Sequence, residues 1–302
     1  MSVDAVLIAG PTAAGKSAVA LAIAERISAL IINTDSMQVY RELPVLTGQP
    51  AAADQARIPH RLYGHVNVTE RYSAGRYQWD AAAALAVARD ERRTAVFVGG
   101  TGLYFNVLTR GLSPMPQVPA EMRVAVRARF EAIGRERFYD ELVAQDPEAA
   151  ELRPSDTQRI LRAADVLQAT GRPISEWQSV AGKPVLSGLK LARFVISPDR
   201  ELLYGRIDRR FEQMLARGAL EEAKALLHLD AALPAARSLG FPELARHLRD
   251  EIPLSEATAA AQMATRRFAK RQLTWFRRYM ADWIWIGDED LRNIMASIGS
   301  EL

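Results

Sequence analysis

The chain has 302 residues, 49% hydrophobic and 25% charged, which argues against disorder, a collagen-like rod or a coiled coil and allows about two domains. Lys plus Arg number 39 and Asp plus Glu 36, so the formal charge is +3 and an anionic partner is permitted rather than demanded. The absence of cysteine excludes disulfides, thiolate zinc sites, iron–sulfur clusters and a cysteine nucleophile, and the four scattered histidines form no zinc-ligand pair.

Ala5-Val6-Leu7-Ile8-Ala9 is a continuous apolar run of the kind a buried parallel strand shows. Residues 10–17 are Gly-rich, and from Lys16 to Ile27 apolar residues recur with a helical period. Leu30-Ile31-Ile32 is a second strand candidate, closed by Asn33-Thr34-Asp35; residues 95–98 are a third, closed by Gly99-Gly100-Thr101-Gly102. Strands of this type separated by helices predict a doubly wound α/β sheet, whose ligands sit at the carboxyl ends of the strands. Three prolines between Leu112 and Pro119 mark a boundary, after which residues 120–180 read as amphipathic, Arg-rich helix. Residues 191–196 read as a strand returning to the sheet, 199–228 and 255–279 as long helices, and 283–286 as a last strand. The expected organisation is an α/β core of residues 1–112 and 191–302 with a helical insertion domain at 113–190.

Gly10-Pro11-Thr12-Ala13-Ala14-Gly15-Lys16-Ser17 fits GxxxxGK[ST] between a strand and a helix. Glycines let successive backbone N–H groups turn inward around a phosphate, and the following helix aims its positive end at the same anion. Lys16 adds a full charge and the Ser17 hydroxyl can ligate Mg²⁺. A hydrolytic P-loop protein normally has an apolar strand ending in a metal-holding carboxylate, whereas residues 95–98 end in Gly-Gly-Thr-Gly. The Asp that does end a strand is Asp35, followed by Ser36-Met37-Gln38. It fits a substitute metal carboxylate, a general base beside the phosphate, or an ordinary loop Asp or helix cap.

Residues 266–279 hold six basic residues, four aromatics and no acid. On a helix, Arg267, Lys270, Arg271, Thr274 and Arg278 share one side, with Phe268, Gln272, Trp275 and Tyr279 beside them. A cationic stripe next to aromatics suits a phosphate backbone with a base stacked nearby, although an amphipathic helix with core aromatics has the same pattern. A second basic cluster, Asp156-Thr-Gln-Arg159-Ile-Leu-Arg162, favours RNA.

GPTAAGKS at 10–17, DSMQVYR at 35–41, GGTGLY at 99–104, DTQRILRA at 156–163 and KRQLTWFRR at 270–278 together resemble the bacterial tRNA dimethylallyltransferases, the IPP transferase family. The resemblance implies a P-loop NTPase-like doubly wound parallel sheet with a helical insertion domain. It also implies transfer of the dimethylallyl group of dimethylallyl diphosphate to N6 of adenosine 37 in tRNAs reading codons that begin with U, with Mg²⁺ required and no ATP consumed. Carried over residue by residue, Asp35 is the general base and Thr101 assists near the reacting groups. Gly10, Pro11, Thr12, Ala13, Ala14, Gly15, Lys16 and Ser17 bind the diphosphate, Ser17 also serving the metal. Arg206 is a further diphosphate candidate, with Arg209 and Arg210 as rivals. The tRNA contacts implied are Asp35, Ser36, Met37, Gln38, Arg123, Arg159, Ile160, Leu161, Arg162, Ala163, Arg237, Lys270, Arg271, Gln272, Trp275 and Arg277, directed at the anticodon stem-loop.

The chain departs from that pattern at Glu42 to Pro50, at Arg61, and at Phe241 and Pro242, and a zinc-finger extension is not expected in a chain without cysteine. Rival readings are a small-molecule P-loop kinase, a prenyltransferase acting on free AMP, and an RNA-binding module with a vestigial P-loop. No apolar run approaches the roughly 18–20 residues that span a bilayer, and Asp4 before a short apolar stretch does not read as a signal peptide. A cytoplasmic, monomeric protein with no membrane partner is therefore expected.

Overall fold

The computed structural model describes residues 3–290, so the outer ends of the expected core range, 1–2 and 291–302, lie outside the described residues. The apolar runs do form strands. β1 (Ala5–Ala9) leads through the Gly-rich loop into α1 (Lys16–Arg26), and β2 (Ala29–Asn33) follows; both strands are buried along their whole length. Two short helices, α2 (Pro44–Thr47) and α3 (Ala52–Arg57), precede a two-residue strand, β3 (His60–Arg61). Next, α4 (Ala74–Asp90) begins at Ser73, whose hydroxyl caps the Arg76 N–H, and leads to β4 (Thr94–Gly99) and α5 (Gly102–Thr109).

The chain divides into two compact units, one of Met1–Thr109 with Val185–Leu302 and the other of Arg110–Pro184. The second unit therefore begins three residues before the expected 113 and ends six before 190. Its far boundary falls early because Val185 and Leu186 already donate backbone hydrogen bonds to the carbonyls of Val107 and Leu108. Within it stand α6 (Ala120–Ile133), α7 (Arg135–Gln145), α8 (Thr157–Thr170) and α9 (Ile174–Gln178). Val126, Phe138, Leu142, Ile160, Leu161 and Ala163 form its core.

The rest of the α/β unit comprises β5 (Leu191–Ile196), α10 (Arg200–Ala216), α11 (Ala219–Ala225), α12 (Phe241–Leu248), α13 (Leu254–Tyr279) and β6 (Ile284–Ile286). The helix expected over 199–228 is thus two helices. Gly218, at φ 95°, breaks it, because a left-handed residue cannot continue a right-handed helix and glycine takes that conformation without strain.

Among the described residues six strands lie in the order β3-β2-β4-β1-β5-β6, and every pairing between them is parallel. Alternate strand residues serve opposite faces. Val6, Ile8, Ile31, Val96 and Val98 pack with Val19, Ala20 and Ala24 of α1, while Leu7, Leu30, Ile32 and Phe97 between them are equally buried. Both faces are therefore covered, as in a doubly wound sheet. The loop after β1 leaves the sheet near its centre, beside the carboxyl ends of β4 and β5.

Candidate active site

The Gly-rich loop turns through two left-handed residues, Ala13 at φ 63° and Gly15 at φ 90°. Glycine accepts this readily, but for Ala13 it is a strained conformation of the sort found where a backbone is shaped for a ligand. Lys16 opens α1 and folds back, its Nζ donating to the Pro11 carbonyl at 2.6 Å. Thr12 is held twice. Its N–H donates to Oε1 of Gln272 at 2.9 Å, and its hydroxyl accepts from Nη1 of Arg210 at 3.2 Å.

Asp35 stands just beyond β2. Its N–H donates to the Asn33 side chain at 2.9 Å, and Asn33 in turn donates to the Asp35 and Leu62 carbonyls, so the turn carrying the carboxylate is pinned from below. Oδ1 of Asp35 accepts the Met37 N–H at 2.9 Å, while Oδ2 lies beside Gly100. Thr101 joins the two strand ends: its N–H donates to the Thr34 carbonyl, and its Oγ1 accepts the Ser36 N–H at 2.9 Å. The three glycines around it are sites of close approach. A Cβ at Gly99 would overlap the Thr34 backbone, at Gly100 the Gln272 amide, and at Gly102 the Trp275 ring.

A cavity of about 740 Å³ opens over the loop, with Lys16, Ser17, Asp35, Tyr63, Arg206 and Arg210 among its lining. A second, of about 260 Å³ and more apolar, is lined by Leu46, Ile207, Phe211, Leu239 and Phe268, with Arg237 and Arg271 also on its wall. Thr12, Ala13, Asp35, Thr47, Arg210 and Met214 line both, so the carboxylate sits where an anion-binding space meets an apolar one. Burial lowers the Lys16 ammonium to about pKa 8; the Asp35 charge opposes that shift and the Arg210 charge adds to it. Burial likewise pushes the Arg210 guanidinium down against the pull of Asp35, and pushes the Tyr63 phenol up, with Asp35 adding to the rise. Two poorly solvated cations around one carboxylate form a site short of negative charge, which a phosphate-bearing ligand would supply.

Of the three arginines, Arg210 is the one turned into the loop. It also donates to the Thr47 carbonyl, and a Cβ at Gly48 would overlap its guanidinium. Arg206 lines the larger cavity with one nitrogen held by Asp288 at 2.8 Å, and Arg209 is exposed. The i, i+4 spacing of Arg206 and Arg210 on α10 is the sequence signal that places both on one face. Glu222, by contrast, carried no signal. Its carboxylate accepts the Val45 and Leu46 N–H groups, fixing α2 and hence Thr47 and Gly48 against the cavity.

The residues expected to meet tRNA fall into two sets. Arg123, Arg159, Arg237, Lys270, Arg271 and Arg277 are exposed, and Arg162 is half-buried. Ile160, Leu161 and Ala163 are not surface residues: they lie in the core of the helical unit, because a helix with its arginines outward must turn its apolar positions inward. Gln272 is buried at 7% exposure on the loop-facing side of α13, and the half-buried Trp275 packs against Gly102. Gln38 spends its amide on the Thr47 and Gly48 carbonyls, Ser36 bonds Thr101, and Met37 accepts from the Ser238 hydroxyl.

A family model described as "IPP transferase" matches residues 38–279, and one described as "Isopentenyl transferase" matches residues 3–71. A tRNA dimethylallyltransferase of Nitrobacter hamburgensis is 51% identical over 290 residues, covering 95% of this chain and 92% of its own. One of Azorhizobium caulinodans is 52% identical over 285 residues, covering 93% and 91%. Among solved structures, the tRNA isopentenylpyrophosphate transferase of Bacillus halodurans superposes with a TM-score of 0.70 at 30% identity, covering 99% of this chain and 95% of that one. A eukaryotic dimethylallyltransferase caught acting on tRNA superposes with a TM-score of 0.78 at 26% identity, covering 95% of this chain and 74% of that one.

Proposed function

The chain belongs to the IPP transferase family and is a tRNA-prenylating enzyme, and we propose that it moves a dimethylallyl group from dimethylallyl diphosphate to N6 of adenosine 37 in tRNAs reading codons that begin with U. The observation that supports this chemistry is the position of Asp35, on the wall shared by a cationic cavity and an apolar one. A diphosphate occupies the first, against Lys16, Arg210 and the loop amides. The five-carbon unit and the adenine meet at the junction.

The C1–O bond to diphosphate breaks and the C1–N6 bond forms. An allylic carbon can carry developing positive charge, so the main task is to stabilise the leaving anion. Lys16 and Arg210 do this before the reaction starts, because they are already fixed and poorly solvated. N6 is a weak nucleophile, its lone pair being delocalised into the ring. The Asp35 carboxylate takes its proton, a contribution of about 10²–10⁴-fold. Thr101 acts by holding Ser36, and with it the turn that carries Asp35. Adenosine must leave the loop stack at a cost of a few kcal/mol, which the exposed cations Arg237, Lys270, Arg271 and Arg277, and those of the helical unit, offset through contacts to the anticodon stem-loop.

Magnesium is the cofactor in this reading. The Ser17 hydroxyl lines the larger cavity and is a hard oxygen donor of the kind Mg²⁺ takes, so it would hold the ion there. When bound, Mg²⁺ neutralises charge on the diphosphate. Among the described residues no helix is long and apolar enough to cross a membrane; we take the enzyme to work as a monomer in the cytoplasm.

Incubating unmodified tRNA with dimethylallyl diphosphate and Mg²⁺, then weighing the nucleosides, tests the reading. The expected product is one adenosine per tRNA heavier by a five-carbon unit, with diphosphate released. Modification of free AMP but not tRNA, or transfer of a phosphoryl group from ATP, would refute it.

A further inference from the structure

Residue 272 belongs to a segment expected, from resemblance, to meet tRNA, yet its side chain faces the other way. Gln272 is buried at 7% exposure, and its two amide atoms serve two motifs far away in the chain. Oε1 accepts the Thr12 N–H of the phosphate loop at 2.9 Å, and Nε2 donates to the Gly100 carbonyl at 2.8 Å. Gly100 has no room for a Cβ because that amide occupies the space, and the position a Cβ would take there is also 3.2 Å from Oδ2 of Asp35.

We infer that Gln272 is a positioning residue for the diphosphate loop and the general base, and not a tRNA-reading residue. The inference rests on the functional reading above. The Thr12 N–H is spent on Gln272, so this amide is not aimed at the ligand, and the bond holds Thr12 with its hydroxyl on Arg210. The second bond fixes the Gly100 backbone, which flanks Oδ2 of Asp35 and precedes Thr101. One planar amide thereby spaces the diphosphate grip from the base. Only a group with an acceptor and a donor in one plane makes both bonds, and a buried amide left with either atom unpaired would destabilise the site. The same helix shows Lys270, Arg271 and Arg277 to solvent, so its two sides divide the work.

The test compares Gln272→Met with Gln272→Glu in the full chain. Gln272→Met keeps the volume and loses both bonds. It should weaken binding of inorganic diphosphate with Mg²⁺ by about tenfold, while Kd for tRNA moves by less than about twofold. Gln272→Glu keeps an acceptor for Thr12 but sets a second carboxylate beside Asp35. Two neighbouring carboxylates share a proton, so the acidic limb of kcat should move to higher pH than in the wild type. A raised Kd for tRNA with unchanged diphosphate binding in Gln272→Met would overturn the inference. So would an unmoved acidic limb in Gln272→Glu, and that measurement decides alone if Gln272→Met does not fold. Wild-type protein that binds diphosphate but modifies no tRNA would defeat the functional reading instead, leaving the diphosphate comparison of the Gln272 variants to stand.

Discussion

The loop-facing site of the α/β unit and the surface of the helical unit use basic side chains in opposite ways. In the α/β unit, Lys16 and Arg210 stand around Asp35 in poorly solvated positions, and burial pushes both cations toward neutrality. In the helical unit, Arg129, Arg137, Arg159 and Arg172 lie on the surface, paired with Glu141, Asp156 and Glu176 across solvent-exposed gaps. Such exposed pairs contribute about 0–1 kcal/mol each and are screened by salt. Desolvated cations are costly to keep, and a protein retains them where an arriving anion recovers the cost. Exposed cations cost little and supply diffuse attraction to a polyanion. The first arrangement suits one small, highly charged leaving group, and the second suits a long phosphate backbone.

Removing the carboxylate proposed as the base should break this contrast most sharply. Asp35→Asn should lower kcat by about 10²–10⁴-fold with tRNA affinity nearly unchanged, measured by single turnover and filter binding; near wild-type turnover would remove Asp35 from the chemistry. Next comes Lys16→Met, expected to cost about 10²–10³-fold in kcat/KM for dimethylallyl diphosphate. The wild-type enzyme should show the same dependence through pH. Because the free-enzyme ammonium titrates near 8 and not at its ordinary 10.5, kcat/KM should fall as pH rises through about 8, and a profile flat to pH 10 would contradict the burial of Lys16.

Ile160→Ala probes the helical unit from inside. The side chain is fully buried, so the change should cost about 2–5 kcal/mol of stability in that unit, read by denaturant titration. An effect on tRNA selection without loss of stability would return Ile160 to the surface role expected from resemblance. The smallest effect should be Arg159→Ala. It should weaken tRNA binding severalfold, equally across sequences, and reduce the salt slope by about one ion.

Much of this was legible in the chain. The strands at 5–9 and 191–196, the Gly-rich loop between strand and helix, Asp35 at a strand end and the exposed cations of residues 267–278 all follow from patterns local in sequence. Other features were not legible because their partners are distant. Ile160, Leu161 and Ala163 sit in the same motif as Arg159 and Arg162, so a resemblance carried over as one block does not separate them, and the core of the helical unit takes them inward. Glu222 secures Val45 and Leu46 from 176 or more positions away, a link that no local pattern signals.

Local chemistry alone specified a loop shaped to cradle an anion, since glycine freedom, helix polarity and a lysine at fixed spacing are properties of eight consecutive residues. Long-range folding had to decide which groups converge on that loop. The Gln272 amide reaches Thr12 across 260 positions and the Arg210 guanidinium across 198, and such bonds exist only once α13 and α10 have packed beside the sheet. Hydrogen bonds reach about 3 Å whatever the chain separation, so proximity, not order in the chain, decides which polar atoms share a site.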